Sequence, residues 1–336
     1  MAQVPGMSVN SGKRRISRRA PSSDRLLIIL LIASVILAVA QPTLGGVVRV
    51  TGSGDGCPDW PQCFGSWVPP WSNWHAIVEW SHRTVGTLFG AVILASTILV
   101  WARYSSWRGL TYTYTAALVL VIVVGGVGGR VVLTDLDPAW RTLHLGGAEI
   151  VALLTAFGLV AATYRPAFPG SFAVAPEYRL GLKLGIAAAA LSLITLLSGA
   201  YAVWRGAGAV CPQWPFCGGP FIPANELVWI HVIHRIIALI SVFLIPYAAH
   251  KIYRLPDAPA ALKFASIAAP VLLAAQILVG AANPWSQFAE WARAAHLSLA
   301  TLLWVNLSFV VSLILLPVPH SVDETNTSPY GHSEAG

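Results

Sequence analysis

The sequence predicts an all-α integral membrane protein, built from eight transmembrane helices that form two parallel four-helix-bundle repeats related by a pseudo-two-fold axis. Three observations support this fold class: a composition poor in charge, eight long apolar runs, and an internal repeat. Only 10% of the 336 residues are charged and 56% are hydrophobic, whereas a soluble domain carries about 25% charged residues. A lipid bilayer is therefore the expected environment of the chain.

Apolar runs account for most of the length. A helix needs about 20 mostly apolar residues to span a bilayer, and such runs lie near 25–47, 78–102, 112–133, 140–164, 178–203, 227–251, 261–282 and 291–316. They leave no room for a separate soluble domain. We expect a disordered cytoplasmic arm, an N-terminal repeat, a C-terminal repeat and a disordered tail, at residues 1–23, 24–165, 166–316 and 317–336 respectively.

Basic residues indicate how the chain is oriented. They concentrate before the first run and between the second and third, fourth and fifth, and sixth and seventh runs. Because cytoplasmic loops carry an excess of Lys and Arg, we expect both termini on the cytoplasmic side of the cell membrane and the other loops outside. This distribution accounts for the net charge of +7. It points to membrane lipid as a partner and argues against nucleic acid.

Two outer loops reveal the internal repeat. The segments 52–65 and 206–219 share eight identical positions at a constant offset of 154, including Cys-Pro, Trp-Pro and a second cysteine. At an offset of 152 the matched pairs are His82 with His234, Arg83 with Arg235, and His144 with His296. Since each unit has four helices, both units enter the membrane in the same direction.

The four matched histidines are candidate metal ligands. All of them lie near the start of a helix that enters from the outer face, and each unit holds two of them, 62 residues apart. A structural zinc site needs four ligands, which neither unit offers. Two imidazoles on opposite sides of a flat macrocycle suit a six-coordinate haem. A lone membrane histidine is more often a packing residue, but the repeat favours ligands here.

Glycines near these histidines allow two interpretations. Small residues let a porphyrin approach a helix, and they also let helices pack closely together. Both interpretations stay open for Gly86, Gly90, Gly146 and Gly147. The glycine-rich segment 125–129 is interpreted as helix packing rather than as a phosphate loop.

The four cysteines form two Cys-x5-Cys pairs in outer loops. Disulfides persist on the outer side of a cell membrane, so we expect Cys57 to pair with Cys63 and Cys211 with Cys217. Loops this short gain little from closure, and thiol–disulfide exchange is chemically open to them. A structural role and a redox role are therefore both retained.

The two halves differ in acidic residues. Glu79 precedes His82 by three positions, which places both side chains on one helix face, and His231 occupies the corresponding place in the second half. An acid beside one cofactor site favours chemistry in the first half and a resident electron-transfer haem in the second. The alternative is that Glu79 only orients Arg83 or a water. For Glu149, a hydrogen-bonded protonated side chain and a proton path are both open.

Several arginines lie near the outer interface and have two candidate partners. Haem propionates and lipid headgroups are both anionic and both suit a guanidinium. The residues concerned are Arg49, Arg130, Arg141, Arg205 and Arg293. Four further histidines have no partner pattern and are interpreted as solvent or interface residues: His75, His250, His320 and His332.

Over about residues 25–316 the chain resembles the haem A synthase family, in its Gram-positive bacterial type with cysteine pairs in both halves. The resemblance rests on eight helices in two units, Glu-x-x-His-Arg on the second helix, histidines on the fourth, sixth and eighth helices, and the paired cysteines. It implies oxidation of one methyl group of haem O to a formyl group, through successive hydroxylations, to give haem A for terminal oxidases. Haem O synthase and terminal oxidase assembly are the implied partners.

The resemblance also implies a role for each site residue. His82 and His144 would flank the substrate haem O, and Glu79 would be the catalytic acid. His234 and His296 would bind a resident haem b as the cofactor. The first cysteine pair is implicated in that family as well.

Two other functions are retained as alternatives. One is a di-haem membrane electron carrier resembling cytochrome b561, which equivalent acids in both halves, or in neither, would favour. The other is a membrane thiol–disulfide relay protein, in which the cysteines form the site and the histidines are structural.

Overall fold

The computed structural model describes residues 20–164, 174, 176–218 and 225–315, and the predicted tail and most of the predicted arm lie outside them. Within these ranges the secondary structure is helical, with eight helices long and apolar enough to span a membrane. They are α1 (Arg25–Val50), α2 (Trp74–Tyr104), α3 (Arg108–Leu133), α4 (Pro138–Tyr164), α5 (Arg179–Trp204), α6 (Glu226–Tyr253), α7 (Ala260–Trp285) and α8 (Glu290–Leu315). The predicted all-α membrane fold class is confirmed.

Helix α2 begins about one turn before the predicted apolar run, because its start is set by a cap and not by hydropathy. The side chain of Asn73 accepts a hydrogen bond from the backbone N–H of Ala76 at 3.1 Å. Asn225 does the same for α6, accepting from Val228 at 3.0 Å. An asparagine at this position satisfies an N–H group that the helix itself leaves free. The two caps are 152 residues apart and so belong to the repeat.

Helix contacts divide the chain into two similar groups. In the first half α1 and α3 each contact α2 and α4, and in the second half α5 and α7 each contact α6 and α8. The halves meet where α1 and α4 contact α8 and where α4 contacts α5. This pattern is consistent with the predicted pair of four-helix repeats. Helices α4 and α8 are the most buried of the eight, so the centre of the protein lies between them.

A polar contact sits in this centre. Thr301 donates a hydrogen bond to Oε1 of Glu149 at 2.6 Å, and the indole N–H of Trp304 donates to the backbone carbonyl of Glu149 at 2.8 Å. The Glu149 side chain is fully buried, and its Oε2 has no hydrogen-bond partner among the described residues. The structure thus shows the hydrogen-bonded arrangement considered for Glu149, while a proton path stays a prediction.

We expect Thr301→Val to lower the thermal stability of the purified protein. The substitution keeps the shape of the side chain but leaves the second Glu149 oxygen without a partner, which costs about 1–3 kcal/mol in a buried site. Thr163→Val is the control, because that exposed hydroxyl bonds only to its own helix. Equal melting temperatures for the two variants would show that the Thr301 bond does not support the interface.

Candidate functional site

The four histidines occupy matching places in the two halves. His82 and His234 each follow the first residue of their helix by eight positions, and His144 and His296 follow theirs by six. At 1.5 Å per residue these positions lie about 12 and 9 Å along the helices. The four histidines therefore lie at similar distances from the starts of their helices, and the caps at Asn73 and Asn225 fix two of these positions.

Each histidine ring packs against a glycine of the helix that precedes its own. A Cβ atom built on the glycine would lie between 2.7 and 3.3 Å from Cε1 of the ring, closer than an ordinary van der Waals contact. The four pairs are Gly45 with His82, Gly128 with His144, Gly199 with His234, and Gly280 with His296. These glycines recur at the repeat offsets. Each of these four imidazoles therefore lies in a cradle formed by a glycine, and the contact is tightest at Gly128, Gly199 and Gly280.

This role of the four glycines was not predicted from the sequence. Of the glycines considered near the histidines, Gly86 faces Gln41, Gly147 faces Val124, and nothing lies within 4 Å of a Cβ at Gly90. Gly128 was interpreted as helix packing, whereas its neighbour is His144. The available signal was the repeat itself, since Gly45 matches Gly199 and Gly128 matches Gly280 at the offsets of the loops and histidines.

The geometry in the first half fits a single iron between two imidazoles. The rings of His82 and His144 have centroids 6.5 Å apart and planes 77° apart. An imidazole nitrogen binds a metal ion at about 2 Å, so two rings on opposite sides of one iron have nitrogens roughly 4 Å apart and centroids roughly 2 Å farther apart. The observed separation is compatible with two axial ligands of one iron.

The hydrogen bonds of the rings also fit ligation. Nδ1 of His144 lies 2.9 Å from the carbonyl oxygen of Val124. A carbonyl only accepts, so Nδ1 donates and Nε2 is left unprotonated and able to bind a metal. Nδ1 of His234 bonds to the hydroxyl of Ser198 at 3.0 Å. A second bond of this kind orients many metal-binding histidines. Nδ1 of His82 and of His296 has no hydrogen-bond partner among the described residues. One ring in each half is thus oriented as a ligand would be, and the paired, buried imidazoles are compatible with haem.

Glu79 faces the first outer loop. Its Oε2 accepts a hydrogen bond from the backbone N–H of Cys57 at 2.7 Å, and its Oε1 accepts from Nη2 and Nε of Arg83 at 2.6 and 3.1 Å. Nη1 of the same guanidinium donates to the carbonyls of Asp59 and Gln62, both at 2.8 Å. Arg83 thus pairs with the buried carboxylate of its own helix and also binds the first outer loop to α2. This ion pair matches the alternative in which Glu79 orients Arg83, and a role in chemistry stays a prediction.

The second half keeps the arginine but not the acid. Nη1 of Arg235 donates to the carbonyls of Gln213 and Pro215, both at 2.9 Å, and Nη2 reaches the carbonyl of Cys211 at 3.4 Å. His231, at the place of Glu79, bonds through Nδ1 to the carbonyl of Ala207 at 2.8 Å. The arginine therefore holds the loop in both halves, whereas a carboxylate joins it only in the first.

Both predicted disulfides are present, Cys57–Cys63 and Cys211–Cys217. The first loop has an additional anchor, because the Asp59 carboxylate accepts hydrogen bonds from the backbone N–H groups of Gly65 and Phe64 at 2.8 and 2.6 Å. These bonds, with that of Gly65 the stronger influence, hold the pKa of Asp59 below its ordinary value. Gln213 takes its place in the second loop, so the two disulfides lie in different electrostatic surroundings.

Two histidines without a predicted role are exposed, as expected. His250 lies in the last turn of α6. His75 lies in the first turn of α2, where its Nδ1 bonds to the hydroxyl of Ser53 at 3.0 Å. His320 and His332 lie outside the described residues.

We expect Arg83→Lys to expose the Cys57–Cys63 disulfide to reduction. Lysine keeps the charge but cannot reach Glu79 and two loop carbonyls at once, because it lacks the planar fork of arginine. Arg235→Lys is the matched control and should accelerate reduction of Cys211–Cys217 instead. The measurement is the rate of reduction by a water-soluble phosphine, followed by alkylation and peptide mapping. An unchanged rate for Cys57–Cys63 in Arg83→Lys would show that the guanidinium does not hold the loop.

The chain is similar to one protein family and to several named proteins. It matches the COX15-CtaA family, described as cytochrome oxidase assembly protein, over residues 27–308. A protein of Symbiobacterium thermophilum named Heme A synthase is 32% identical, with 81% of this chain and 90% of the relative covered. Proteins with the same name from Alkalihalophilus pseudofirmus and Staphylococcus saprophyticus are 28% and 25% identical, with 81% and 88% of this chain and 92% and 97% of the relatives covered.

Proposed function

The chain belongs to the COX15-CtaA family of cytochrome oxidase assembly proteins, and on that basis we propose that it is a haem A synthase, a membrane oxidoreductase that acts on haem O. The relatives named Heme A synthase match most of its length, and the resemblance read from the motifs is confirmed. The observation that carries the proposal further is an asymmetry: each half pairs two cradled histidines, but only the first half adds a buried carboxylate.

The two haem sites have different occupants in this proposal. Substrate haem O lies between His82 and His144, and a resident haem b lies between His234 and His296. A six-coordinate haem b supplies one-electron transfer. The support for this division is that Glu79 belongs to the first site, while the second has a neutral or cationic His231 bonded to a backbone carbonyl.

Glu79 is the proposed catalytic group. Oxidising a methyl group to a formyl group removes protons as well as electrons, so a base near the porphyrin edge assists the reaction. A fixed carboxylate also stabilises positive charge that develops on the substrate in a site without water. The bonds from Cys57 and Arg83 hold this carboxylate in one place, and Arg83 is its positioning residue.

The setting of the reaction follows from the same proposal. The eight spanning helices make this a multi-pass membrane protein. We place both termini in the cytoplasm and the cysteine loops outside, since the basic residues concentrate in the other loops. Haem O synthase would supply the substrate, and assembly of a terminal oxidase would consume the product. A di-haem electron carrier fits the asymmetry between Glu79 and His231 less well.

We expect Glu79→Gln to keep the fold and the resident haem but to lose haem A formation by about 10²–10³-fold, the usual cost of removing an electrostatic catalytic group. Glutamine keeps the size of the side chain and removes its charge, and its single acceptor oxygen can keep the bond from Cys57 or the bonds from Arg83 but not both. Haem O or a hydroxylated intermediate should accumulate, as measured by chromatography of haems extracted from membranes. His231→Gln is the matched control and should still make haem A. Haem A formation at the unmodified rate in Glu79→Gln would refute the catalytic role.

We expect His234→Ala to remove the low-spin haem b spectrum of the purified protein, and Gly199→Ala to weaken it strongly. In the second variant the new Cβ would lie 2.7 Å from Cε1 of His234 and displace the ring. Gly125→Ala is the control, because nothing lies within 4 Å of a Cβ there. A normal spectrum in His234→Ala would overturn the ligand assignment. A normal spectrum in Gly199→Ala alone would overturn only the cradle.

A further inference from the structure

Two arginines precede histidine ligands by three residues. Arg141 precedes His144 on α4, and Arg293 precedes His296 on α8, so the motif Arg-x-x-His belongs to the repeat. Residues three apart share a helix face. Each guanidinium therefore lies about one turn outward of an imidazole, on the side where the edge of a macrocycle would emerge. Both arginines are half-buried.

A third arginine comes from α1. Nη2 of Arg293 donates a hydrogen bond to the carbonyl of Val50 at 3.2 Å, which joins the start of α8 to the end of α1. Arg49, next to Val50, is close enough to Arg293 and Arg141 for their charges to repel its own. Its charge also reaches His296, in the other half. Three cations from α1, α4 and α8 thus converge where the halves meet.

None of these three cations has an acidic partner within 4 Å among the residues that the structure describes. In the described part of the chain, the acid–base pairs within 4 Å involve Arg83, Arg103 and Arg205. The Nε atoms of Arg141 and Arg293 are buried without a hydrogen-bond partner there. The negative charge of Asp137 acts on Arg141 from a distance. The Asp137 carboxylate itself accepts hydrogen bonds from the backbone N–H groups of Ala139 and Trp140. Like charges gathered away from bulk water repel strongly, so the cluster is built for an anion.

We propose that these arginines bind the propionate carboxylates of the haems, and that Arg49 and Arg293 together hold those of the haem between His234 and His296. Arg141 takes the corresponding place for the substrate haem. The proposal rests on the haem sites of the proposed function. Guanidinium groups bind carboxylates through two parallel hydrogen bonds. The propionate edges of both haems then face the outer side of the membrane, and the second haem site is completed by a residue of the first half. The second half offers Val203 where the first has Arg49, so this contribution is not reciprocal.

The test measures how fast the purified holoprotein loses haem b to excess apomyoglobin. Removing one charge-assisted contact from the propionates should accelerate loss by about tenfold in Arg49→Gln and in Arg293→Gln. Arg49→Lys keeps the charge and should retain haem much better than Arg49→Gln. Arg205→Gln is the matched control at the outer end of α5, because its guanidinium is already paired with Glu226. Its rate should equal that of the unmodified protein.

Three results would contradict the proposal in distinguishable ways. If Arg49→Gln and Arg293→Gln lose haem no faster than Arg205→Gln, the arginines do not hold propionates. If haem retention is unchanged while co-purified anionic phospholipid falls, as measured by mass spectrometry, the cluster binds lipid headgroups. If the unmodified protein carries no six-coordinate haem, the proposed function fails, and this proposal fails with it.

Discussion

The close contact between an imidazole ring and a glycine of the neighbouring helix is the constraint on which this structure depends. A histidine that must bind iron needs a free ring nitrogen and a fixed ring, and a helix bundle offers little space for either. Gly45, Gly128, Gly199 and Gly280 provide that space. At Gly128, Gly199 and Gly280 a Cβ atom would lie within 3.0 Å of the ring, so the ring would have to move. The odd-numbered helices therefore shape the proposed haem sites although none of the candidate ligands lies on them.

The two halves use one framework for different chemical purposes. Arg83 and Arg235 bind the outer loops through equivalent backbone carbonyls. In each loop these are the carbonyl of the first cysteine and that of the residue two positions later. The acidic groups do not repeat. When the two halves are aligned, His231 corresponds to Glu79 and Gln213 corresponds to Asp59. The carboxylate that we consider catalytic is thus attached to a disulfide loop through Cys57. In the proposed function, the first loop therefore contributes to the active site through Cys57, whereas the second loop has no carboxylate at the corresponding place.

Composition, periodicity and the internal repeat were enough to predict the membrane fold, the eight helices, the matched positions of four histidines and both disulfides. The start of α2 was placed too late, because an apolar count does not register the capping by Asn73. The repeat pairs Gly45 with Gly199 and Gly128 with Gly280, but it does not say which side chain each glycine contacts, so the cradles followed only from the packing of the helices. The partners of Arg83 and Glu149 lie on a loop and on another helix. Such contacts depend on how the helices pack together, which the spacing of residues along one helix does not reveal.

The contact between Glu149 and Thr301 joins two residues that are equivalent in the repeat, being 152 positions apart. A residue that touches its own counterpart lies on the axis that relates the two halves. In an assembly of two identical chains that position would meet itself, so a glutamate would face a glutamate and a threonine a threonine. Two buried carboxylates side by side are unfavourable, whereas a carboxyl group and a hydroxyl group are complementary. When both copies belong to one polypeptide, the two residues at this position no longer have to be the same. The centre of the protein therefore holds a glutamate–threonine pair that a symmetric dimer could not form.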